Sequence, residues 1–329
     1  MSILNDEILG FDRDAAINQI TDGIKSSLRR LRKRGLVVAI SGGIDSAVSA
    51  ALCVRAVGVG KVYGLLLPES DSSSESVTKG ELLARHLGID YEIQNIAPTL
   101  EAVGCYRHRD EAMQATIPQY RSDWKSKIAI QGGAAGGVNH FNLIVQSPEG
   151  ERHEARMGLK EYLQVVAATN FKQRVRKMVE YYHADRLNYA VIGTPNRLEY
   201  DQGFFVKNGD GSADIKPIAH LYKSQVYALA RHFQLPEAIC NSIPTTDTYS
   251  LEQGQDEFYF ALDYQDMDVA LWCHNHGRPA EVLAQELGLS LERAQFVYRD
   301  IQSKRSTTAM LHWPALTVEK VEGPMTLPE

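Results

Sequence analysis

The segment Ser41-Gly42-Gly43-Ile44-Asp45-Ser46 sets two hydroxyls, two glycines and a carboxylate within six residues. It follows Leu36-Val37-Val38-Ala39-Ile40 directly, and a continuous apolar run of this kind forms a strand buried on both faces of a parallel sheet. Ser46 to Val57 then reads as a helix. A strand that hands such a loop to a helix start gathers unpaired backbone N–H groups, hydroxyls and the positive helix end at one point, which suits an oxyanion. Glycine lets the chain approach the ligand without a Cβ. Asp45 is a carboxylate inside this anion site, which calls for a joining cation, and Mg²⁺ carried on phosphates is the obvious one. The plain alternative is a tight turn in which Asp45 and Ser46 cap the helix. The Gly-Lys-Ser/Thr ending of a Walker A loop is absent, so γ-phosphate transfer is not indicated.

The elements around the loop alternate. Residues 12 to 33 space Ile17, Ile20, Ile24, Leu28 and Leu31 as an amphipathic helix, which Gly35 is expected to stop. Val62 to Leu67 reads as a second buried strand and Glu75 to Leu87 as a helix ended by Gly88, with Asp71 or a following serine as its N-cap. Tyr91-Glu92-Ile93 and Tyr189 to Ile192 read as two further strands, the second after a long helical stretch, 159 to 183. The order predicts an α/β fold, a doubly wound parallel sheet with helices on both faces. From 104 to 158 the pattern breaks into an insertion, with a glycine tract Gln131 to Gly137 that reads as a lid or plain loop, and a hairpin around Phe141 to Val145. The C-terminal part is helical, at about 222 to 234, 256 to 274, 279 to 287 and 290 to 303, and the tail 314 to 329 is expected to pack loosely.

A formal charge of -6 offers no general attraction to nucleic acid or to an anionic membrane. No apolar run approaches the ~20 residues of a membrane span, and the first residues carry acids where a signal peptide carries bases, so a cytoplasmic protein is expected. Cys53, Cys105, Cys240 and Cys273 form no C-x-x-C pair and read as buried thiols; His274 and His276 lack a third ligand at a usual spacing for a metal.

The six-residue loop resembles the signature of the PP-loop ATP pyrophosphatases. A second block narrows this resemblance. Gly193-Thr194-Pro195-Asn196-Arg197-Leu198-Glu199, then Gly203-Phe204-Phe205-Val206-Lys207-Asn208-Gly209-Asp210-Gly211, Asp214 to Pro217 and Leu221-Tyr222-Lys223 are similar to consecutive motifs of the NAD synthetase family. Asn170 to Arg176, Pro244-Thr245-Thr246-Asp247 and Asp263 to Asp268 resemble three more, in family order. The resemblance spans about residues 15 to 305 and implies a single Rossmann-like PP-loop domain over 1 to 329.

It also implies a reaction, the ATP-dependent amidation of deamido-NAD by ammonia through an adenylated carboxylate, with release of AMP and pyrophosphate. By the same resemblance Asp45 and Glu199 would hold Mg²⁺, while Ser41, Gly42, Gly43 and Ser46 would hold the pyrophosphate. Thr194 would lie against ATP. Lys207 and Lys223 would supply positive charge to the phosphates and the transition state, and Asp45, Glu199 and Lys207 are the catalytic set. Asn170, Arg174, Asp210 and Asp214 would bind the dinucleotide. For Arg174 and Arg176 the alternative is a solvated helix face within Lys172 to Lys177.

Family members are homodimers paired through long helices, which places the helix at 159 to 183 at an interface. About 35 residues before the first strand do not hold a glutaminase-type domain, so ammonia is expected to be free or to come from another chain. Two other enzyme readings keep the loop: an amide synthetase for a different small carboxylate, and a tRNA-modifying PP-loop enzyme, which would need catalytic cysteines or a basic appendage. A nucleotide-binding protein without catalysis would not be expected to keep Asp45, Glu199 and Lys207 together.

Overall fold

The structure, a computed structural model, describes residues 2–131, 140–242, 249–251 and 259–319. Four parallel strands, β1 (Leu36–Ala39), β2 (Val62–Leu66), β3 (Asp90–Ile93) and β7 (Ala190–Ile192), stand in the order β3-β2-β1-β7. The chain winds outward from β1 to β2 and β3, then returns to place β7 on the other side of β1. That reversal makes the β1/β7 gap the topological switch point, where a crevice opens beyond the carboxyl ends of the strands.

The apolar run of β1 is buried on both faces as its composition demands. Leu36 and Val38 pack with α1 (Arg13–Leu31), α2 (Ile44–Val57) and α8 (Lys223–His232). Val37 points the opposite way, into a core with Leu65, Val191 and residues Val175, Val179 and Ala184 of the 29-residue helix α6 (Leu159–Leu187). Asp12 caps α1 from its side chain. The helix ends at Arg32, whose φ of 55° closes it three residues before Gly35. The helix after β2 is α3 (Ser74–Leu87), capped by Ser73; Asp71, the other candidate, is held in ion pairs instead.

The segment 104–158 has more regular structure than a hairpin. After α4 (Ala97–Ala102) it forms α5 (Cys105–Thr116) and an antiparallel sheet of β4 (Lys125–Gln131), β5 (His140–Gln146) and β6 (Arg152–Arg156). Ile128, Leu143 and Val145 bury one face of this sheet against Met113 of α5, Tyr120 in its exit loop, Met157 between β6 and α6, and Val165 of α6. Strand β4 is masked from a pattern reading because its inward positions are Ser126 and Ile128 between lysines. The glycines at 132–137 and the Pro244–Asp247 segment lie outside the described residues.

Short helices α7 (Arg197–Gln202) and α9 (Glu237–Cys240) flank α8, and three more, α10 (Tyr264–Asn275), α11 (Ala280–Leu287) and α12 (Leu291–Thr308), close around a core of Met267, Leu271, Leu283, Val297 and Ile301. Of the helix expected over 256 to 274, the start lies outside the described residues; 259–263 are not helical, and α10 begins at Tyr264, where Asp263 accepts from the Gln265 and Asp266 N–H groups. All four cysteines are buried thiols. Among the described residues no helix is long and apolar enough to cross a membrane.

Candidate active site

A cleft of about 1270 Å³ opens at the switch point. Its floor is the loop Ser41 to Ser46, its sides are α6 and the segment 193–210, and part of its far wall comes from β5 and residues 249–250.

Gly42 turns the loop with a φ of +82°, and a Cβ there would lie 2.6 Å from the Ser76 carbonyl oxygen, so both conformation and space demand glycine. Gly43 then enters α2 as its N-cap without a side-chain partner for the first N–H groups. Ser46 Oγ donates to the Gly43 carbonyl at 3.0 Å and lies 3.1 Å from Ser41 Oγ, which accepts from the Gly43 N–H at 3.2 Å. These are neutral bonds within the loop, and an oxyanion would replace them with stronger charge-assisted ones.

Asp45, in the first turn of α2, forms an ion pair with Lys223, the first residue of α8. Its second oxygen accepts from Asn196 Nδ2 at 3.1 Å. Asn196 is at the same time the cap of α7: its Oδ1 accepts from the Leu198 and Glu199 N–H groups, while Glu199 Oε2 accepts from the Asn196 N–H at 3.2 Å. One residue thus orients both carboxylates: the Asn196 side-chain amide holds Asp45, after the end of β1, and its backbone N–H holds Glu199, after the end of β7. Burial alone would depress the Lys223 ammonium, yet Asp45 and then Glu199 raise it well above the ordinary lysine value. Lys223 is a built-in cation between two carboxylates.

Its position is fixed from outside. Asp268 of α10, fully buried, accepts from the Lys223 N–H at 3.2 Å and the Ser224 N–H at 2.7 Å, acting as an N-cap borrowed from another helix. Burial pushes its carboxyl up to about 7, although the Ser224 and Lys223 donors pull the other way.

The remaining expected residues divide. Ser41, Gly42, Gly43, Ser46, Thr194, Glu199, Asn170, Arg174, Lys207 and Asp210 all line the cleft with Asp45 and Lys223. Lys207 rests its ammonium on the carbonyl oxygens of Met310 at 2.9 Å and Trp313 at 3.3 Å, and Arg174 Nε donates to the Lys207 carbonyl. Asp210 closes its own loop by accepting from the Val206 N–H at 2.8 Å, and burial raises its carboxyl. Asp214 is outside the cleft lining: it accepts from the Val191 N–H at 2.8 Å and ties the segment after the Lys207 loop to β7. His274 faces Arg305 and His276 stacks on Trp272.

Sequence reasoning missed Asn196 as an organiser, although the Asn-x-x-Glu spacing of a capping box was its signal. It also missed a buried charge cluster beside the cleft. Lys172 Nζ lies 3.1 Å from Glu69 and 2.6 Å from Asp71, whose carboxylate also takes Arg109 at 2.5 Å. This cluster bolts α5 to α6 and to the end of β2, and no spacing in the chain announces it.

Asp45 and Glu199 fit a magnesium ion. Mg²⁺ is held by one or two carboxylates together with phosphate oxygens rather than by an all-protein cage. The donors are hard carboxylate oxygens, both oriented by Asn196 through its side-chain amide and its backbone N–H. No group of three or more ligating side chains exists among the described residues.

The model of the NAD synthase family matches residues 16–126 and 144–308. The chain belongs to the NAD synthase family. A relative from Rhizobium meliloti, an NH(3)-dependent NAD(+) synthetase, is 52% identical over 97% of this chain and 96% of its own. One of the same name from Thermotoga maritima is 35% identical over 75% of this chain and 83% of its own. Among solved structures, an NMN synthetase from Francisella tularensis shares the fold with a TM-score of 0.65 at 23% identity, covering 93% of this chain and 98% of that one. An NH3-dependent NAD synthetase from Campylobacter jejuni superposes with a TM-score of 0.62 at 22% identity, covering 94% and 100%. Membership removes the tRNA-modifying reading, and the family model passes over 127–143, a stretch inside the expected insertion.

Proposed function

We propose that this chain is an ammonia-dependent NAD synthetase, which uses ATP to convert the pyridine carboxylate of deamido-NAD into the amide of NAD. The observation that carries the reading is the meeting, at one switch point, of a strand-to-helix anion loop with two carboxylates and a buried lysine. Full-length likeness to relatives of that name supports the choice of acceptor.

In this reading an acceptor carboxylate oxygen attacks the α-phosphorus of ATP, and the bond from that phosphorus to the bridging oxygen breaks. The leaving pyrophosphate is received by the α2 N-terminus, the Gly43 N–H and the Ser41 and Ser46 hydroxyls. Ammonia then adds through its lone pair to the carbonyl carbon of the adenylate; AMP departs with the C–O electron pair and a proton is lost. Mg²⁺, when bound, would neutralise phosphate charge. Asp45 and Glu199 would hold the ion, and Asn196 orients both carboxylates. Lys223 supplies fixed positive charge where negative charge develops, in a site whose low dielectric strengthens it. Lys207 would leave two neutral carbonyls for phosphate oxygens, a favourable exchange for an ammonium. Asn170 and Arg174, on one face of α6, would hold the dinucleotide.

A homodimer is part of the same proposal. Leu159, Leu163, Met178 and Tyr182 leave 70%, 54%, 59% and 63% of their surface exposed along α6, a large apolar stripe for a helix. The substrates are solutes of the cytoplasm, with ammonia taken up free or from another protein. The test is pyrophosphate release measured with ATP, magnesium, ammonium and a panel of carboxylates. Turnover confined to deamido-NAD is expected, and turnover only with some other acid would overturn the assignment.

A further inference from the structure

The stretch the family model passes over, 127–143, contains Phe141 of β5. Its ring stacks on Tyr162 of α6 with centroids 3.6 Å apart and planes 14° apart, and both rings line the cleft. The antiparallel sheet also anchors the neighbouring wall: the Ser126 N–H donates to Ser250 Oγ at 2.9 Å, and the Leu251 N–H to the Ser126 carbonyl at 3.1 Å. Tyr249 and Ser250 line the cleft beside the ring pair. The sheet therefore reaches into the cavity with an aromatic surface rather than merely resting against the fold.

Its place along α6 indicates what meets it. Lys172 and Arg176 contact Asp71 and the Leu67 carbonyl at the carboxyl end of β2, next to the anion loop. Tyr162 is ten residues earlier on the same helix, which at 1.5 Å per residue is about 15 Å farther out. The acceptor's reacting carboxylate must lie at the anion loop, so a ring bound that far away belongs to the other end of the dinucleotide.

We propose that Phe141 and Tyr162 form a stacking platform for the adenine of the acceptor dinucleotide, and that the antiparallel sheet thereby selects a dinucleotide over a mononucleotide. Aromatic faces suit any purine, and removal of one such stack commonly weakens binding by about five- to hundredfold. The argument rests on deamido-NAD being the acceptor.

The experiment compares wild type with Phe141→Ala and Phe141→Leu, the latter keeping apolar volume in the sheet core. KM is measured for deamido-NAD and for ATP, and nicotinate mononucleotide is scored as a competitive inhibitor against deamido-NAD. In both variants KM for deamido-NAD is expected to rise about tenfold while the KM for ATP and the Ki of the mononucleotide stay within twofold. An unchanged KM for deamido-NAD, or an equal loss for dinucleotide, mononucleotide and ATP, would overturn the platform and leave the pair a packing contact. Failure of wild type to turn over deamido-NAD would instead remove the functional reading itself.

Discussion

Asp268 sits on a helix remote in sequence from the loop it serves, and its carboxylate holds the first two N–H groups of α8 and so the backbone of Lys223. Its folded pKa of about 7 lies above the 3.8 of an ordinary aspartate, so the native state binds the proton more tightly than the unfolded chain. For a carboxyl raised in this direction, the favourable contribution is complete below the unfolded value and is lost as pH rises through the folded one. Between pH 5 and pH 8 the linkage amounts to roughly 2–3 kcal/mol of lost stability from this one group. In Asp268→Asn that titration is gone. The amide keeps one acceptor but turns a donor toward the other N–H, which costs about 1–3 kcal/mol at low pH. Urea unfolding of both proteins from pH 5 to 8 isolates the effect, because every other titrating group is shared. The stability gap should narrow by roughly 2–3 kcal/mol as pH rises. A gap that stays constant across that range would refute the account of Asp268 as a carboxyl destabilised by burial.

Asp45→Ala should reduce magnesium-dependent pyrophosphate release to background while circular dichroism shows an intact fold, since Lys223 keeps Glu199 as a counter-charge; normal release would remove Asp45 from the chemistry. Gly42→Ala forces a left-handed backbone on alanine and a Cβ 2.6 Å from the Ser76 carbonyl, so kcat/KM for ATP should fall on the order of a hundredfold as the loop shifts by about an ångström. Wild-type values would show that the loop absorbs the clash. Leu163→Asp combined with Met178→Asp should convert a dimer into monomers in sedimentation velocity, and a dimer that persists would place the interface elsewhere.

The layers of this fold were legible because parallel strands announce themselves: Leu36 to Ile40 and Val62 to Leu67 are apolar without interruption, and each is followed by a helix. The loop at Ser41 and the block from Gly193 to Lys223 were legible as motifs, and they meet at one crevice because their strands β1 and β7 are neighbours. Helix ends were less so. Arg32 closes α1 in a conformation that glycine usually supplies, and Asp263 caps α10 at Tyr264 inside a stretch that reads as continuously helical. What escaped the sequence altogether is long-range and polar: Asp268 under Lys223, Asn196 between two carboxylates, and the Lys172, Asp71 and Arg109 cluster. Each is a pairing of groups far apart in the chain, and local spacing carries no record of such partners.

Helix α6 has one further consequence. Its first turns are packed into the antiparallel sheet through Tyr162 and Val165, its later turns into the parallel sheet through Val175, Val179 and Ala184, and Asn170 and Arg174 stand between the two. A 29-residue helix is a stiff rod of about 43 Å, so it sets how far the antiparallel sheet stands from the parallel one, with the proposed substrate contacts between them. The spacing between the anion loop and the far wall is therefore carried by one helix rather than by the loops that line the cleft.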